Sequence, residues 1–129
     1  MHDATHIIST AEELARLRAA LSAAGDVAYD WDLTTDAIHW SGDVCRALGI
    51  PHGDQPISGA AFAALVSQED LAAHSNFLTR LQSGESQFEC EYRLQLPERG
   101  ESWVHDRASA EFDESGKAVR QIGILSFMD

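Results

Sequence analysis

At 129 residues the chain is long enough for one domain with a hydrophobic core and too short for two. Twenty-one acidic residues against nine basic ones give a formal net charge of −12, which argues against a nucleic-acid backbone or an anionic lipid surface as partner. Cys45 and Cys90 form neither a CxxC pair nor a disulfide framework, and no signal peptide or membrane-length apolar run is present, so the chain is read as cytoplasmic.

Residues 9–24, STAEELARLRAALSAA, predict a helix. Ser9 with Glu12, or Thr10 with Glu13, supplies a capping box, and Gly25 is a natural stop. Leu14, Leu17 and Leu21 recur at helical spacing as one apolar stripe. That stripe either covers the chain's own sheet or pairs with a second copy, and the homodimer is the reading adopted.

The stretch VAYDWDL then alternates Val27, Tyr29, Trp31 and Leu33 with polar or small residues, and AIHWS follows a short turn, which predicts a β-hairpin. Asp30, Asp32, Thr34 and Asp36 mimic the first half of a calcium loop, but Thr35 and Ser41 stand where glycine and glutamate are needed. They are read as the wet face and turn of the hairpin, with Asp30 opposite His39. Residues 42–49 predict one or two helical turns, and GAAFAALV a short helix. Ser67 is expected to cap a helix running through Asp70 to about Gln82. Three strands, 86–96, 102–112 and 118–128, joined by PERGE and DESGK, predict an antiparallel meander. In QFECEYRLQL, Phe88, Cys90, Tyr92, Leu94 and Leu96 alternate with polar residues, so one face enters a core. The whole is an α+β layer arrangement of five antiparallel strands with helices on one face.

The pieces YDWDLTTDAIHWS, VCRALGI, FECEYRL and WVHDRASAEFDESGKAVRQIGILSFMD, in that order and spacing, resemble a PAS domain of the PAS fold-3 subclass. One departure is Ser67-Gln68-Glu69-Asp70, where the family usually has His-Pro-x-Asp. The resemblance implies strand order 2-1-5-4-3, a cavity between sheet and helices, a flanking helix over 1–24 and the PAS domain over 25–129. It implies a sensory or regulatory module, not an enzyme, upstream of a histidine kinase, diguanylate cyclase or cyclic-di-GMP phosphodiesterase. The end at Asp129 is expected of an excised module or a stand-alone protein alike.

No hydrolase, nucleotide-binding or zinc motif is present. Residues placed around the expected cavity are Tyr29, Trp40, His74, Phe77, Cys90 and Tyr92. His74 shares a helical stripe with Leu71, Leu78 and Leu81, which turns its imidazole inward. In haem-binding PAS sensors the proximal histidine is similarly placed, and Arg93 lies near their distal arginine, although alternation points Arg93 away from Tyr92's face. The alternative for His74 is a hydrogen-bonded histidine at the core edge. Covalent flavin photochemistry is not expected, since Cys45-Arg46 lacks the flanking residues of that motif, while a non-covalent flavin stays open. Trp31, Trp40 and Trp103 are able to stack a planar ligand, but Trp103 is read as structural. No cofactor is assigned. The competing readings are a ligand- or partner-driven sensor that dimerises, a ligand-free interaction module, and a haem gas sensor through His74.

Overall fold

Helix α1, His2–Ala24, contains no glycine or proline, and it ends where Gly25 turns left-handed at φ 75°. The amides of Gly25 and Asp26 close the last turn on Ser22 and Leu21 carbonyls. The helix therefore starts before the expected residue 9: Thr10 lies inside it instead of capping it, and no breaker precedes that position. The computed structural model describes residues 2–84 and 88–128, with side chains from residue 10 onward, so the Ser9 cap and the predicted strand start at 86–87 lie outside the described residues.

The hairpin forms as β1 (Val27–Asp32) and β2 (Ile38–Ser41). Its turn is set by the Asp32 carboxylate, which accepts from the Thr34 amide and hydroxyl at 2.9 and 2.6 Å. Asp30 does face His39, but its carboxylate is taken by Arg120 from the neighbouring strand, Nε donating at 2.8 Å. Helix α2, Val44–Leu48, is capped by Asp43, and α3, Gly59–Ala63, by Ser58, whose Oγ accepts from the Ala61 amide at 3.0 Å.

The central helix departs from expectation at its start. A 3-10 turn, Gln68–Asp70, precedes α4, Leu71–Gln82, and Ser67 makes no side-chain cap. Asp70 does not cap either, because its carboxylate accepts from the Arg93 amide and Nε, both at 2.8 Å, and from Nη2 at 3.0 Å. Charge-assisted, two-pronged pairing of this kind is stronger than a neutral cap.

Strands β3 (Phe88–Leu96), β4 (Gly100–Phe112) and β5 (Ala118–Phe127) form the meander. Strand β4 begins at Gly100, earlier than expected, because its φ of 72° lets it pair directly with Leu96 across a three-residue loop. The sheet order is β2-β1-β5-β4-β3, all pairs antiparallel. Helices α3 and α4 lie across one face, over a core centred on Leu48, Phe77, Leu81, Tyr92, Leu94 and Leu125.

Part of each sheet edge is sheltered by the chain itself. Residues 65–67 run beside β3, with Ser67 and Gln95 amides donating at 2.8 and 2.7 Å. Residues 57–58 do the same for β2, the Ile38 amide reaching the Ile57 carbonyl at 2.9 Å. Covered edges disfavour growth of the sheet by strand addition. The face opposite the helices stays open and carries Trp103, Ile122 and Ile124, all exposed.

Candidate functional site

Strict alternation brings Tyr29 of β1, Tyr92 of β3, Asp106 of β4 and Gln121 of β5 to the inner face of the sheet. There the four meet. Asp106 accepts from the Tyr29 hydroxyl at 2.8 Å through Oδ1 and from the Tyr92 hydroxyl at 2.7 Å through Oδ2. Gln121 Nε2 donates to the Tyr29 oxygen at 3.0 Å, and Gln82 of α4 donates to Gln121 Oε1 at 3.4 Å. A single buried carboxylate thus ties three strands directly, and a fourth strand and the central helix through Tyr29.

The electrostatics follow from burial. Loss of hydration raises the Asp106 pKa to about 6, although the two phenol donors and nearby His105 pull it down. Burial, then the Asp106 charge, pushes both tyrosines well above the usual phenol range. Cys90, paired with Asp106 across β3 and β4, is also raised, first by burial and then by that charge. His74 is held neutral by burial, its pKa lowered to about 4.

Beside this network lies a cavity of about 30 Å³, walled by the rings of Tyr29, Trp40, Phe62 and His74, with Asp106 and Gln121 along it. Trp40 is fixed by its Nε1 donating to the Pro56 carbonyl at 2.7 Å, and Trp31 by its Nε1 donating to Asp36 at 2.9 Å. One water needs roughly 10–15 Å³ on this measure, and ligand pockets typically run to hundreds of Å³. The space holds a water or two.

Of the six residues expected to line a cavity, Tyr29, Trp40 and His74 border this one. Tyr92 stands just beyond, its ring 4.8 Å from the His74 ring and its hydroxyl in the Asp106 network. Phe77 is deeper in the core, stacked on Phe88 at 5.7 Å. Cys90 is half-buried on β3, its thiol directed at the Glu91 carbonyl. The described residues do not fit a haem: the space beside His74 is far smaller than a tetrapyrrole, and the imidazole packs against the Tyr92 and Phe62 rings. Arg93 is on the other side of β3, over Trp103 and bound to Asp70, as its alternation predicts. Trp103 is exposed on the open sheet face, outside the cavity. Among the described residues no group of histidine, cysteine and carboxylate side chains is arranged to hold a metal ion.

Asp106, Gln121 and Phe62 were not among the residues singled out by sequence. The signal for the first two is present: Asp106 falls in register with Val104 and Ala108, and Gln121 with Gly123 and Leu125. A charged residue in phase with apolar ones on a strand marks a buried polar site.

The stripe Leu14, Leu17, Leu21 lies largely free. Leu14 and Leu17 are 50% and 55% exposed, and Leu21 is half-buried where α1 meets β1. Among the described residues no helix is long and apolar enough to cross a membrane.

The sheet order, the helices across one face and the cavity between them define a five-stranded antiparallel α+β domain. The family model described as PAS fold (PAS_3) matches residues 37–125, and the chain belongs to that family. The N-terminal domain of a diguanylate cyclase with a PAS/PAC sensor from Marinobacter aquaeolei is similar at 23% identity and TM-score 0.67, over 79% of this chain and 94% of that one. A sensory box histidine kinase/response regulator from Burkholderia thailandensis is similar at 20% identity and TM-score 0.74, over 88% and 84%. A structure described in connection with adaptor-dependent degradation of a cell-cycle regulator is similar at 27% identity and TM-score 0.59, over 86% and 90%. No curated protein matches the chain in sequence.

Proposed function

We propose that this chain is the cytoplasmic sensory module of a signal-transduction protein, with residues 1–24 as flanking helix and 25–129 as the PAS domain. It passes its state to an effector such as a histidine kinase, diguanylate cyclase or cyclic-di-GMP phosphodiesterase through ligand- or partner-dependent repacking and dimerisation. The observation that carries the reading is an aromatic cavity bounded by Tyr29 and Trp40 of the sheet and by His74 of α4, so that anything altering it alters the packing of sheet on helix. Such a signal is a population shift, and its driver must bind the two packings unequally. A second reading, an interaction module without ligand, is favoured by the cavity's volume of about 30 Å³.

Native mass spectrometry of protein purified without additives tests both. A dimer with excess mass supports the ligand-driven reading, and a dimer of bare mass the interaction module. A bare monomer at every concentration overturns the dimerising sensor.

A further inference from the structure

Asp106 has an unusual surrounding for an ionised carboxylate. The groups facing it are Tyr29 from β1, Tyr92 and Cys90 from β3, and Leu125 from β5, with His105 beside it on its own strand. Helix α4 brings His74 against Tyr92 and Gln82 against Gln121. Among the described residues no lysine or arginine neutralises it. Its charge is held by two phenol hydroxyls, so gaining a proton must change what those hydroxyls do.

We propose that Asp106, Tyr29, Gln121 and Gln82 form a proton-operated hydrogen-bond relay that reports the charge of the buried carboxyl to the last turn of α4. The direction of the relay follows from which phenol can give way. Tyr92 is fully buried, and among the described residues its hydroxyl has no second side-chain partner, so it keeps donating to Oδ2. Tyr29 has one: its oxygen already accepts from Gln121. A proton from water therefore settles on Oδ1, and the new O–H donates to the Tyr29 oxygen. The Tyr29 hydrogen, displaced from Oδ1, turns to Gln121. Gln121 must then present Oε1 in place of Nε2, and its Nε2 now faces Gln82. Gln82, which donated to Oε1, must in turn present its own oxygen. One proton at the sheet's centre thus inverts every hydrogen bond along the chain. The end of that chain, Gln82, is half-buried at the C-terminal end of α4, where a change reaches the surface. The relay goes beyond the sensory reading and does not require a ligand.

The test is nuclear magnetic resonance on the intact chain between pH 5 and 8, following the Asp106 carboxyl carbon and the Gln82 side-chain amide. The expected result is one shared midpoint for both signals, with the Gln82 shift lost in Tyr29→Phe while the Asp106 carboxyl still titrates. In Asp106→Asn the Gln82 signal should be flat; if that variant does not fold, Tyr29→Phe alone decides. A Gln82 amide that stays still while Asp106 titrates overturns the relay. So does a Gln82 shift unchanged in Tyr29→Phe, or an Asp106 carboxyl that does not titrate in this range.

Discussion

Asp106 and His74 titrate against one another in the same pH window, and the signs are opposite. The Asp106 pKa is raised from 3.8 to about 6, so the folded state holds a proton that the unfolded chain has lost, and stability rises as pH falls from 6 toward 4. The His74 pKa is lowered from 6.5 to about 4, so the unfolded chain takes the proton first, and stability falls as pH drops from 6.5 toward 4. At about 1.4 kcal/mol per pKa unit, each effect is on the order of 3 kcal/mol. They oppose one another in the native protein. Removing one partner should expose the other: relative to the parent chain, His74→Leu gains stability on acidification and Asp106→Asn loses it. Urea unfolding at pH 4.5 and 7 checks this, and differences against the parent cancel the surface carboxylates. Equal pH dependence in all three proteins would show that neither group titrates as its burial dictates. Tyr92→Phe tests the same carboxylate from the side of its donors. Oδ2 loses its 2.7 Å phenol donor, so the variant should lose about 1–3 kcal/mol at pH 7. The Asp106 midpoint should move above 6, read by carboxyl titration.

Strands β1, β4 and β5 hold the network only because one position lacks a side chain. Gly123 pairs with Tyr29 across β1 and β5, and a Cβ there would come within 2.6 Å of the phenol ring and 2.7 Å of the Arg107 carbonyl. The tyrosine can swing away only by leaving Asp106, and the carbonyl belongs to the sheet backbone. Gly123→Ala should therefore cost about 1–3 kcal/mol, as overpacking does, and detach Tyr29 from the carboxylate. Thermal unfolding reads the first effect, and the Tyr29 ring resonances the second. The elements themselves were legible because their signals are local: alternation gave the strands, and glycine and short polar turns gave the meander. The start of α4 departs from its local sequence signals for a non-local reason. Ser67 and Asp70 have the local chemistry of caps, but Arg93, twenty-three residues on from Asp70, claims the carboxylate. Half of the candidate site was legible in the same sense. His74 and Tyr29 follow from phase within their own elements, whereas the meeting of Asp106 with two tyrosines depends on a register across four strands, β1, β5, β4 and β3. Nothing within β4 alone states that register.

Across the whole molecule, the exposed large apolar side chains form two groups, with Ile57, Leu71 and Met128 exposed apart from them. Leu14 and Leu17 are exposed along α1, and Ile122, Ile124 and Trp103 are exposed on the sheet face opposite the helices. Residues 57–58 and 65–67 occupy only part of each sheet edge, and the open face and the helix are the further routes to a partner. Burial of such side chains releases about 25 cal/mol per Å², so two leucines reaching a partner's open face, and the reciprocal pair, are a substantial driving force for a twofold pairing. The replacement Leu14→Glu with Leu17→Glu tests this cleanly. Neither leucine is part of the core, so the monomer's unfolding midpoint should hardly move, within the roughly 0.5 kcal/mol usual for surface changes. Added carboxylates on a chain already at −12 should oppose association both by charge and by desolvation. Light scattering across a concentration series should therefore show a dimer for the parent and a monomer for the double variant. A double variant that remains dimeric would place the interface on the sheet face alone, and the companion replacement Ile122→Glu with Ile124→Glu would then be the one to separate the copies.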